Sequence, residues 1–257
     1  MSITLKTPED ITKLRKAGKI LAAILDELEA VAVPGNKTID IDDRAMELIE
    51  EHGVEPMILG YDASFANRPY PAATCVSLND VVVHGIPNEQ PEKIKDGDVV
   101  SIDLVIGYEG VIVDSARTVI AGEGSEEAKA LLAATKESLK AGIAAAVPGA
   151  RVFDIGKAIE RSVPRGIGIV RDFCGHGVGY ALHEEPQIPN FTMKGESAEL
   201  VPGMVLAIEP MLTAGKPDVF VDSGDGYTVF TQDGSLAAHM EHTVLITDKG
   251  PEILTIQ

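Results

Sequence analysis

Five residues with metal-binding side chains interrupt apolar stretches of this sequence. They are Asp103 in SIDLVI, Asp114 in VIVDSA, His176 in FCGHGVG, Glu209 in VLAIEPML and Glu241 in HMEHTVLIT. Singly, each has an ordinary explanation, because core histidines are usually hydrogen-bonded and edge-strand glutamates are usually solvated. Together they would bury four carboxylates, which is costly unless their charge is compensated. Two divalent cations would neutralise that charge, and oxygens with one imidazole suit Mn, Fe, Co or Zn.

The first two of these carboxylates lie in neighbouring predicted strands. Residues 99–106 and 111–120 are rich in β-branched side chains and flank the segment GYEG, which predicts a β-hairpin. If the residues flanking GYEG face each other, Asp103 lies opposite Asp114 with Cβ atoms ~5 Å apart. The repulsion would call for a cation, a shared proton or a basic partner. The alternative is another register, with both aspartates in water.

Two further histidines are candidates for acid–base or oxyanion chemistry. His84 follows the run VVV in NDVVVHGIP, and His183 lies seven residues after His176 in GHGVGYALHEEP. An imidazole can donate a hydrogen bond to a developing oxyanion at neutral pH. A purely structural role for either histidine is the alternative.

Helices should frame these strands. Thr7 can cap a first helix that has Pro8 and Asp10 in its first turn. The apolar face of this helix repeats at three- and four-residue spacing through Ile11, Leu14, Gly18, Leu21, Leu25 and Leu28. Pro34 and Gly35 end it, and a second helix is expected from about Ile39 to His52, stopping at Gly53. Further strands are predicted from Val205 and from His242, and a loop is predicted over residues 61–71.

An internal repeat organises the chain. AVPGNKTIDI from Ala32 and AVPGARVFDI from Ala146 share six of ten residues, and each follows a long predicted helix and precedes a shorter one. The motif is either a helix stop that recurs by coincidence or, as we favour, the trace of a duplication. Two similar halves, roughly 8–120 and 121–257, would form a cleft at their seam. Since no Ser-rich or Pro-rich linker separates them, we expect one domain over residues 1–257.

The composition excludes several classes of protein. With 45% hydrophobic and 24% charged residues, the 257-residue chain is typical of soluble globular proteins. The start MSITLKTPED does not resemble a signal peptide, and no apolar run reaches the ~20 residues of a membrane span. Two cysteines are too few for a disulfide framework and favour the cytoplasm. A net charge of -18 argues against binding to nucleic acid or anionic membranes.

The motifs resemble those of a known family. NDVVVHGIP, SIDL with VDSARTV, GHGVGYALHEEPQIPN, VLAIEPML and MEHTVLIT are similar, in the same order, to the motifs of type I methionine aminopeptidases. The resemblance covers essentially the whole chain. It implies the α/β pita-bread fold, in which two pseudo-symmetric halves form a curved, mostly antiparallel sheet covered by helices. It also implies removal of the initiator methionine from nascent proteins and peptides, with a preference for a small second residue.

The same resemblance implies roles for the metal-binding candidates. Asp103 would chelate one metal ion, His176 and Glu209 the other, and Asp114 and Glu241 would bridge both. Two ions of Co, Mn, Fe or Zn would hold a bridging hydroxide as the nucleophile.

Catalytic and pocket residues are implied in the same way. Glu209 would act as general base and then acid, His84 would contact the scissile amide nitrogen, and His183 would bind the carbonyl oxygen. The methionine pocket would be lined by Tyr61, Tyr70, Cys75, Leu182 and Tyr227. Leu182 stands where the family often has phenylalanine and Tyr227 where it often has tryptophan, and the segment at residues 62–68 looks longer than in well-known bacterial members. A monovalent cation found in some members would lie near Ser101, Leu104 and Ala237.

Two alternatives come from the same fold. Proline-specific relatives, aminopeptidase P and prolidase, use the same metal set but usually carry a large extra amino-terminal domain. A pita-bread protein that only binds partners would have lost metal ligands, whereas all five positions here hold Asp, His or Glu. We therefore expect a monomeric enzyme whose partners are peptides and nascent chains. Their processing implies transient contact with the ribosome, although the net charge gives no general attraction to RNA.

Overall fold

The computed structural model describes residues 3–63 and 66–257. Ser64 and Phe65, in the middle of the loop predicted at residues 61–71, lie outside the described residues. The described helices are α1 (Pro8–Val31), α2 (Thr38–His52), α3 (Glu126–Ala145) and α4 (Val152–Ser162). None of them combines the length and apolar character that a bilayer-spanning helix requires.

The described strands fall into four antiparallel sheets. In chain order the strands are β1 (Glu55–Pro56), β2 (Thr74–Leu78), β3 (Val81–Val83), β4 (Val99–Tyr108), β5 (Val111–Ile120), β6 (Gly168–Ile169), β7 (Gly175–Gly177), β8 (Glu184–Ile188), β9 (Val205–Ile208), β10 (Met211–Thr213), β11 (Val219–Val221), β12 (Val229–Thr231), β13 (Ala237–His239), β14 (His242–Thr247) and β15 (Gly250–Ile253). In the first sheet β4 pairs with β1, β2 and β5; another has the order β15-β14-β9-β7-β8. The smaller sheets have the orders β13-β10-β6 and β11-β12-β3.

The first helix forms as its sequence predicts. The backbone N–H of Asp10 donates to the Thr7 hydroxyl at 3.2 Å, and Pro8 occupies the first helical position. Every predicted face residue is buried except Ile11, which is half-buried. This face packs on β4 and β5. Helix α2 begins one residue before the predicted start and ends at Gly53, whose φ of 64° is the left-handed conformation that glycine favours at a helix end.

Helices α2 and α4, the second helices of the pairs α1–α2 and α3–α4, begin in the same way. The backbone N–H of Lys37 donates to the Asp40 carboxylate at 2.7 Å, and that of Arg151 donates to the Asp154 carboxylate at 2.9 Å. These are equivalent positions of the repeated segment. The repeat therefore corresponds to matching helix starts in the two halves of the chain.

The β4–β5 hairpin turns more tightly than predicted. Tyr108 pairs with Val111, so only Glu109 and Gly110 form the turn, with φ angles of 48° and 83°. Two central residues with positive φ match the right-handed twist of the flanking strands. GYEG was predicted to form the whole connection, but its first two residues continue β4.

This tighter turn changes the partners of both aspartates. Asp103 lies opposite Ala116 and Asp114 lies opposite Val105, so the predicted direct pairing of the two carboxylates is wrong. The shift is two residues, and side chains alternate between the faces of a strand with period two. Asp103 and Asp114 therefore stay on one face, as diagonal neighbours. The alternative register with both in water does not occur, since Asp114 is only 6% exposed.

The apolar run that starts at Val205 is two strands, not the single strand predicted. Strand β9 pairs with β7 and β14, whereas β10 pairs with β6 and β13. Glu209 and Pro210 separate them, and proline cannot donate to a ladder of backbone hydrogen bonds. The chain thus changes sheet at Glu209. The strand predicted from His242 is confirmed as β14.

Candidate metal centre

A cavity of about 170 Å³ lies where the two halves of the chain meet. All five candidate ligands line it, as do both candidate catalytic histidines and all five candidate pocket residues; these are Asp103, Asp114, His176, Glu209, Glu241, His84, His183, Tyr61, Tyr70, Cys75, Leu182 and Tyr227. Ser101, by contrast, does not line this cavity, and its hydroxyl is hydrogen-bonded to Thr118 at 2.8 Å. The structure therefore brings these candidates together in one cavity.

Hydrogen bonds between β5 and β14 place two of the carboxylates side by side. The Thr243 hydroxyl accepts from the backbone N–H of Asp114 at 2.9 Å and donates to its carbonyl oxygen at 2.7 Å. The Ser115 hydroxyl donates to the Glu241 carbonyl oxygen at 2.8 Å, and the Glu241 N–H donates to the Ala116 carbonyl oxygen at 2.9 Å. These bonds join a strand of the first half to one of the second, so Asp114 and Glu241 meet at the seam.

The glycines on either side of His176 permit a close approach of strands. A Cβ atom on Gly175 would lie 2.3 Å from the Ala207 carbonyl oxygen, and one on Gly177 would lie 2.3 Å from the Glu185 carbonyl oxygen. Strand β7 therefore fits between β8 and β9 only with glycine at both positions. This packing brings the imidazole of His176 into the cavity.

The orientation of His176 leaves one ring nitrogen facing the acidic groups. Its Nδ1 lies 3.0 Å from the Gly177 carbonyl oxygen, and a carbonyl there holds the proton on Nδ1. Its Nε2 lies 3.3 Å from Glu209 Oε1 and 3.8 Å from Asp114 Oδ2. Burial lowers the pKa of His176 to about 3, and His183 adds to the shift. His176 is therefore neutral near pH 7, with the lone pair of Nε2 available as a metal ligand.

The carboxyl groups of the cavity are crowded and desolvated. Burial raises the pKa of Asp103 to about 6, with His239 acting in the opposite direction. Burial also raises the pKa values of Asp114, Glu209 and Glu241, and repulsion from Asp103 adds to the shift at Asp114. Negative charge is thus costly here without a cation.

Unsatisfied oxygens show that the cavity fits metal ions. Within the described ranges, Asp103 Oδ1, Asp114 Oδ1 and Glu241 Oε1 are buried without a hydrogen-bond partner. Ligand atoms of Asp114, His176 and Glu241 lie within 4.8 Å of one another. Buried polar atoms normally have partners, and divalent ions would supply them. The donors present therefore suit the divalent metals that the sequence predicts.

His239 is a cavity residue that the sequence analysis missed. It is 2% exposed, and its Nε2 lies 3.5 Å from Glu209 Oε2. Burial lowers its pKa, against the attraction of Asp103. The signal was present, because His239 also interrupts an apolar segment and precedes Glu241 by two residues.

His84 and His183 line the cavity from the first and the second half of the chain, respectively. His84 follows β3 with a φ of 60°, and its ring meets Phe173 edge to face at 5.6 Å. His183 precedes β8, and its Nδ1 lies 2.9 Å from the Tyr61 hydroxyl oxygen. Its ring is also 4.5 Å from that of His176. Both histidines line the same cavity as the acidic groups.

The pocket residues form an apolar extension of the same cavity. Tyr70 is buried, its hydroxyl donates to the Gly85 carbonyl oxygen at 2.9 Å, and its ring meets that of Tyr227 edge to face at 5.1 Å. The Tyr227 hydroxyl donates to the Arg68 carbonyl oxygen. The hydroxyl groups of both tyrosines are satisfied outside the pocket, which leaves their rings to line it.

Comparison with known proteins agrees with this site. Residues 12–248 match the sequence profile of metallopeptidase family M24. A methionine aminopeptidase of Aquifex aeolicus is 48% identical over 258 residues, which cover 99% of both chains. The crystal structure of a methionine aminopeptidase from Thermotoga maritima superposes with a TM-score of 0.94 and 43% identity, covering 100% of both chains.

A more distant structure shares the fold. A prolidase from Pyrococcus furiosus superposes with a TM-score of 0.74 at 23% identity, and the match covers 98% of this chain but 65% of the prolidase. That likeness concerns the fold alone, whereas the methionine aminopeptidases match in sequence from end to end. The predicted pita-bread fold is confirmed. The chain belongs to the methionine aminopeptidases of metallopeptidase family M24, metal-dependent enzymes that remove the amino-terminal methionine.

Proposed function

We propose that this enzyme removes the initiator methionine from nascent proteins and peptides with two divalent ions bound by five residues of the cavity. The ligands are Asp103, Asp114, His176, Glu209 and Glu241. The observation that carries the proposal is that these donors line the same cavity as the apolar side chains of the candidate methionine pocket. We assign Asp103 to one ion, His176 and Glu209 to the other, and Asp114 and Glu241 to both.

The chain's own residues would then handle protons around the cleaved bond. When bound, the ions, which we expect to be Co, Mn, Fe or Zn, supply a hydroxide nucleophile by lowering the pKa of water. Glu209 would take up a proton as general base and return it to the leaving amine, and burial raises the pKa of its carboxyl group. His84 would contact the scissile nitrogen.

We expect His183 to stabilise the carbonyl oxygen of the substrate. If the Tyr61 hydroxyl donates to Nδ1 across their 2.9 Å contact, the ring proton lies on Nε2. Nε2 can then donate to the carbonyl oxygen as it gains charge. Burial lowers the pKa of His183, so the ring serves as a neutral donor.

Wider features of the enzyme follow from the same proposal. We propose a single catalytic domain over residues 1–257 with halves at roughly 8–120 and 121–257, acting as a cytoplasmic monomer and meeting the ribosome transiently. A monovalent cation near Ser101, Leu104 and Ala237 stays a prediction.

Metal removal should destabilise the protein most at higher pH. Without metal, the raised pKa of Asp103, about 6, exceeds its unfolded value near 4, so the stability that comes from bound protons is present below about pH 4 and lost as the pH rises through about 6. Metal binding requires deprotonated carboxylates, so it strengthens over the same range. At a free-metal concentration about 100 times its Kd, one bound ion contributes about 2.7 kcal/mol, or a Tm shift of roughly 5–10 °C.

Scanning calorimetry with a chelator, and with added Mn or Co, would measure this shift. The Tm difference between loaded and chelated protein should widen between about pH 5 and pH 7.5. Asp114→Asn, which removes one negative charge from the buried carboxylates, should reduce the Tm difference between loaded and chelated protein. A Tm that neither chelation nor added metal changes at pH 7.5 would show that no such centre exists.

Substrate choice tests the methionine assignment itself. The rings of Tyr70 and Tyr227 make an apolar pocket for an unbranched side chain, and the sulfur of methionine gains from aromatic neighbours. The second residue must pass close to His84, which favours small side chains. Metal-loaded enzyme should therefore release methionine quickly from Met-Ala-Ser, slowly from Met-Leu-Ser, and should release almost no alanine from Ala-Pro-Ala.

Liberated amino acids can be quantified by chromatography for the three peptides at equal concentration. A peptide beginning with norleucine serves as the matched control, since it keeps the shape of methionine without the sulfur, and it should be cleaved. Rapid cleavage of Ala-Pro-Ala with little action on Met-Ala-Ser would instead indicate a proline-specific enzyme.

A further inference from the structure

The segment that precedes α1 holds a buried lysine against the turn that carries His183. Lys6 follows the start of the described chain, and its backbone N–H donates to the Gly203 carbonyl oxygen at 2.9 Å. Its side chain is 1% exposed. Lysine is seldom buried to this degree unless its charge is paired. The segment therefore places a charge where only a specific partner makes it tolerable.

That partner is Glu184. Lys6 Nζ donates to Glu184 Oε2 at 2.7 Å and to the Thr4 carbonyl oxygen at 3.3 Å, and it lies 4.7 Å from the centre of the Tyr180 ring. The Glu184 side chain is 12% exposed. The ammonium group is thus surrounded by a carboxylate, a carbonyl oxygen and an aromatic face, all of which favour a cation.

The second oxygen of the Glu184 carboxylate binds the backbone of the turn at residues 179–184. Its Oε1 accepts from the Tyr180 N–H at 2.6 Å and from the Ala181 N–H at 3.1 Å. One carboxylate therefore connects Lys6 to the backbone that immediately precedes Leu182 and His183. Both of those side chains line the catalytic cavity.

Close packing restricts how this turn can move. A Cβ atom on Gly179 would lie 2.2 Å from Lys6 Cε, and the φ of 138° at Gly179 favours glycine as well. The Tyr180 hydroxyl donates to Asp10 at 2.6 Å, which is a second link between the turn and the start of α1. The backbone of the turn thus lies directly on the lysine side chain.

We propose that Lys6 is a positioning residue for catalysis, because its buried ion pair with Glu184 fixes the 179–184 turn and thereby the place of His183. This inference rests on the oxyanion role proposed for His183. The imidazole of His183 must keep its 2.9 Å contact with Tyr61 while it reaches the substrate. A displacement of about 1 Å in such a group can lower the rate roughly 10²-fold.

Three variants test the link: Lys6→Met, Glu184→Gln and the two combined. Lys6→Met should lower kcat and kcat/KM for Met-Ala-Ser together by about 10- to 100-fold, as expected when an interaction of the transition state is lost. Metal affinity should stay at the wild-type value. The double variant should lose no more than the worse single variant, because both changes break the same pair. Lys129→Met, which breaks the exposed pair of Lys129 with Glu126 on α3, is the matched control and should behave as wild type.

A spectroscopic readout makes the test independent of turnover. In zinc-loaded, histidine-labelled enzyme, the ring ¹⁵N resonances of His183, assigned with His183→Ala, should shift in the Lys6 and Glu184 variants and stay unchanged in Lys129→Met. Glu184→Gln keeps an acceptor for the turn, so it provides the measurement if Lys6→Met does not fold.

The outcomes separate this inference from the proposed function. Wild-type rates and unshifted His183 resonances in folded Glu184→Gln and in the double variant would overturn the positioning role. A second outcome is that the His183 resonances shift in the variants but the wild-type enzyme does not cleave Met-Ala-Ser. That outcome would reject the proposed function while supporting the link from Lys6 to the turn. A fall in Tm without a change in kcat or in the resonances would reduce the pair to a contribution to stability.

Discussion

Glu241→Ala should lose its metal and nearly all release of methionine. Glu241 is 2% exposed, and it lies beside Asp114 and His176 with ligand atoms within 4.8 Å of one another. We assign Glu241 to both ions, so its removal should weaken the binding of both. Residues that merely orient metal ligands already change activity or affinity by 10- to 100-fold, and for a shared ligand we expect a loss of at least roughly 10³-fold.

Metal content and turnover would be measured on the same preparation, after chelation and reloading. Glu241→Gln keeps the size and one oxygen of the side chain but not its charge, and should fall between wild type and Glu241→Ala in metal content. Asp248→Ala, which removes an exposed carboxylate from the turn after β14, is the control for loss of negative charge alone. It should retain both metal and activity.

Stability distinguishes the loss of a ligand from the loss of the fold. In chelated protein, repulsion from Asp114 adds to burial in raising the pKa of Glu241, so the native state does not benefit from its charge. Chelated Glu241→Ala should therefore melt no lower than chelated wild type near neutral pH. Full metal occupancy with full activity in Glu241→Ala would remove this residue from the centre.

Local features of this fold were readable from the sequence because they depend on few neighbours. The Thr7 cap of α1, the stop of α2 at Gly53 and the strand from His242 all agree with the structure. Caps, stops and alternating strands are set by side chains a few residues apart. The prediction of a single strand from Val205 was wrong, because a continuous apolar run does not reveal that the chain moves from one sheet to another at Glu209 and Pro210.

The hairpin shows why residue types could be assigned to the site but not its exact geometry. A four-residue and a two-residue connection differ by two positions of register, and both keep Asp103 and Asp114 on one face. The period of a strand therefore predicted the shared face correctly. The pairing depended on whether Glu109 and Gly110 could form a turn with positive φ by themselves. The sequence GYEG is compatible with such a two-residue turn but also with a four-residue connection.

Contacts between the halves were beyond local reasoning. Ser115 reaches the Glu241 carbonyl oxygen across 126 positions of sequence, and Lys6 reaches Glu184 across 178. The periodic spacing of apolar residues within a helix or strand does not indicate such long-range pairs. The sequence could name most of the polar groups of the cavity because each interrupts an apolar segment, yet His239 has the same property and was passed over. Its role depends on Glu209 being nearby, which only the fold reveals.

His84→Ala should slow turnover by roughly 10²-fold or more while both metals stay bound, the range expected for a group that contacts the reacting atoms. Burial, aided by His239 and His183, lowers the pKa of His84 to about 4. Cations in the cavity would lower it further, so the ring is neutral throughout the working range. His84 can therefore act as a neutral hydrogen-bonding partner of the scissile nitrogen, without the second ring proton of an imidazolium.

Backbone conformation decides which substitution gives the clean result. His84 has a φ of 60°, a region that asparagine adopts far more readily than alanine. Alanine at this position can lose roughly 1 kcal/mol or more of stability through backbone strain alone. His84→Asn keeps the backbone relaxed and removes the imidazole, so it should fold as well as wild type and still be slow. If Asn restored full turnover, the backbone and not the ring would be the important feature.

The pH dependence tests the neutral state of the ring. An ordinary histidine would change charge near pH 6.5, and the ratio of wild-type to His84→Asn turnover would then vary across that pH. With a pKa of about 4, His84 stays neutral above about pH 5, so the ratio should be constant from about pH 5.5 to 8. Measurements of kcat on Met-Ala-Ser at saturating metal would give this ratio directly. A ratio that changes tenfold between those limits would mean that His84 titrates during catalysis, and full turnover by both variants with metal bound would remove it from the reaction.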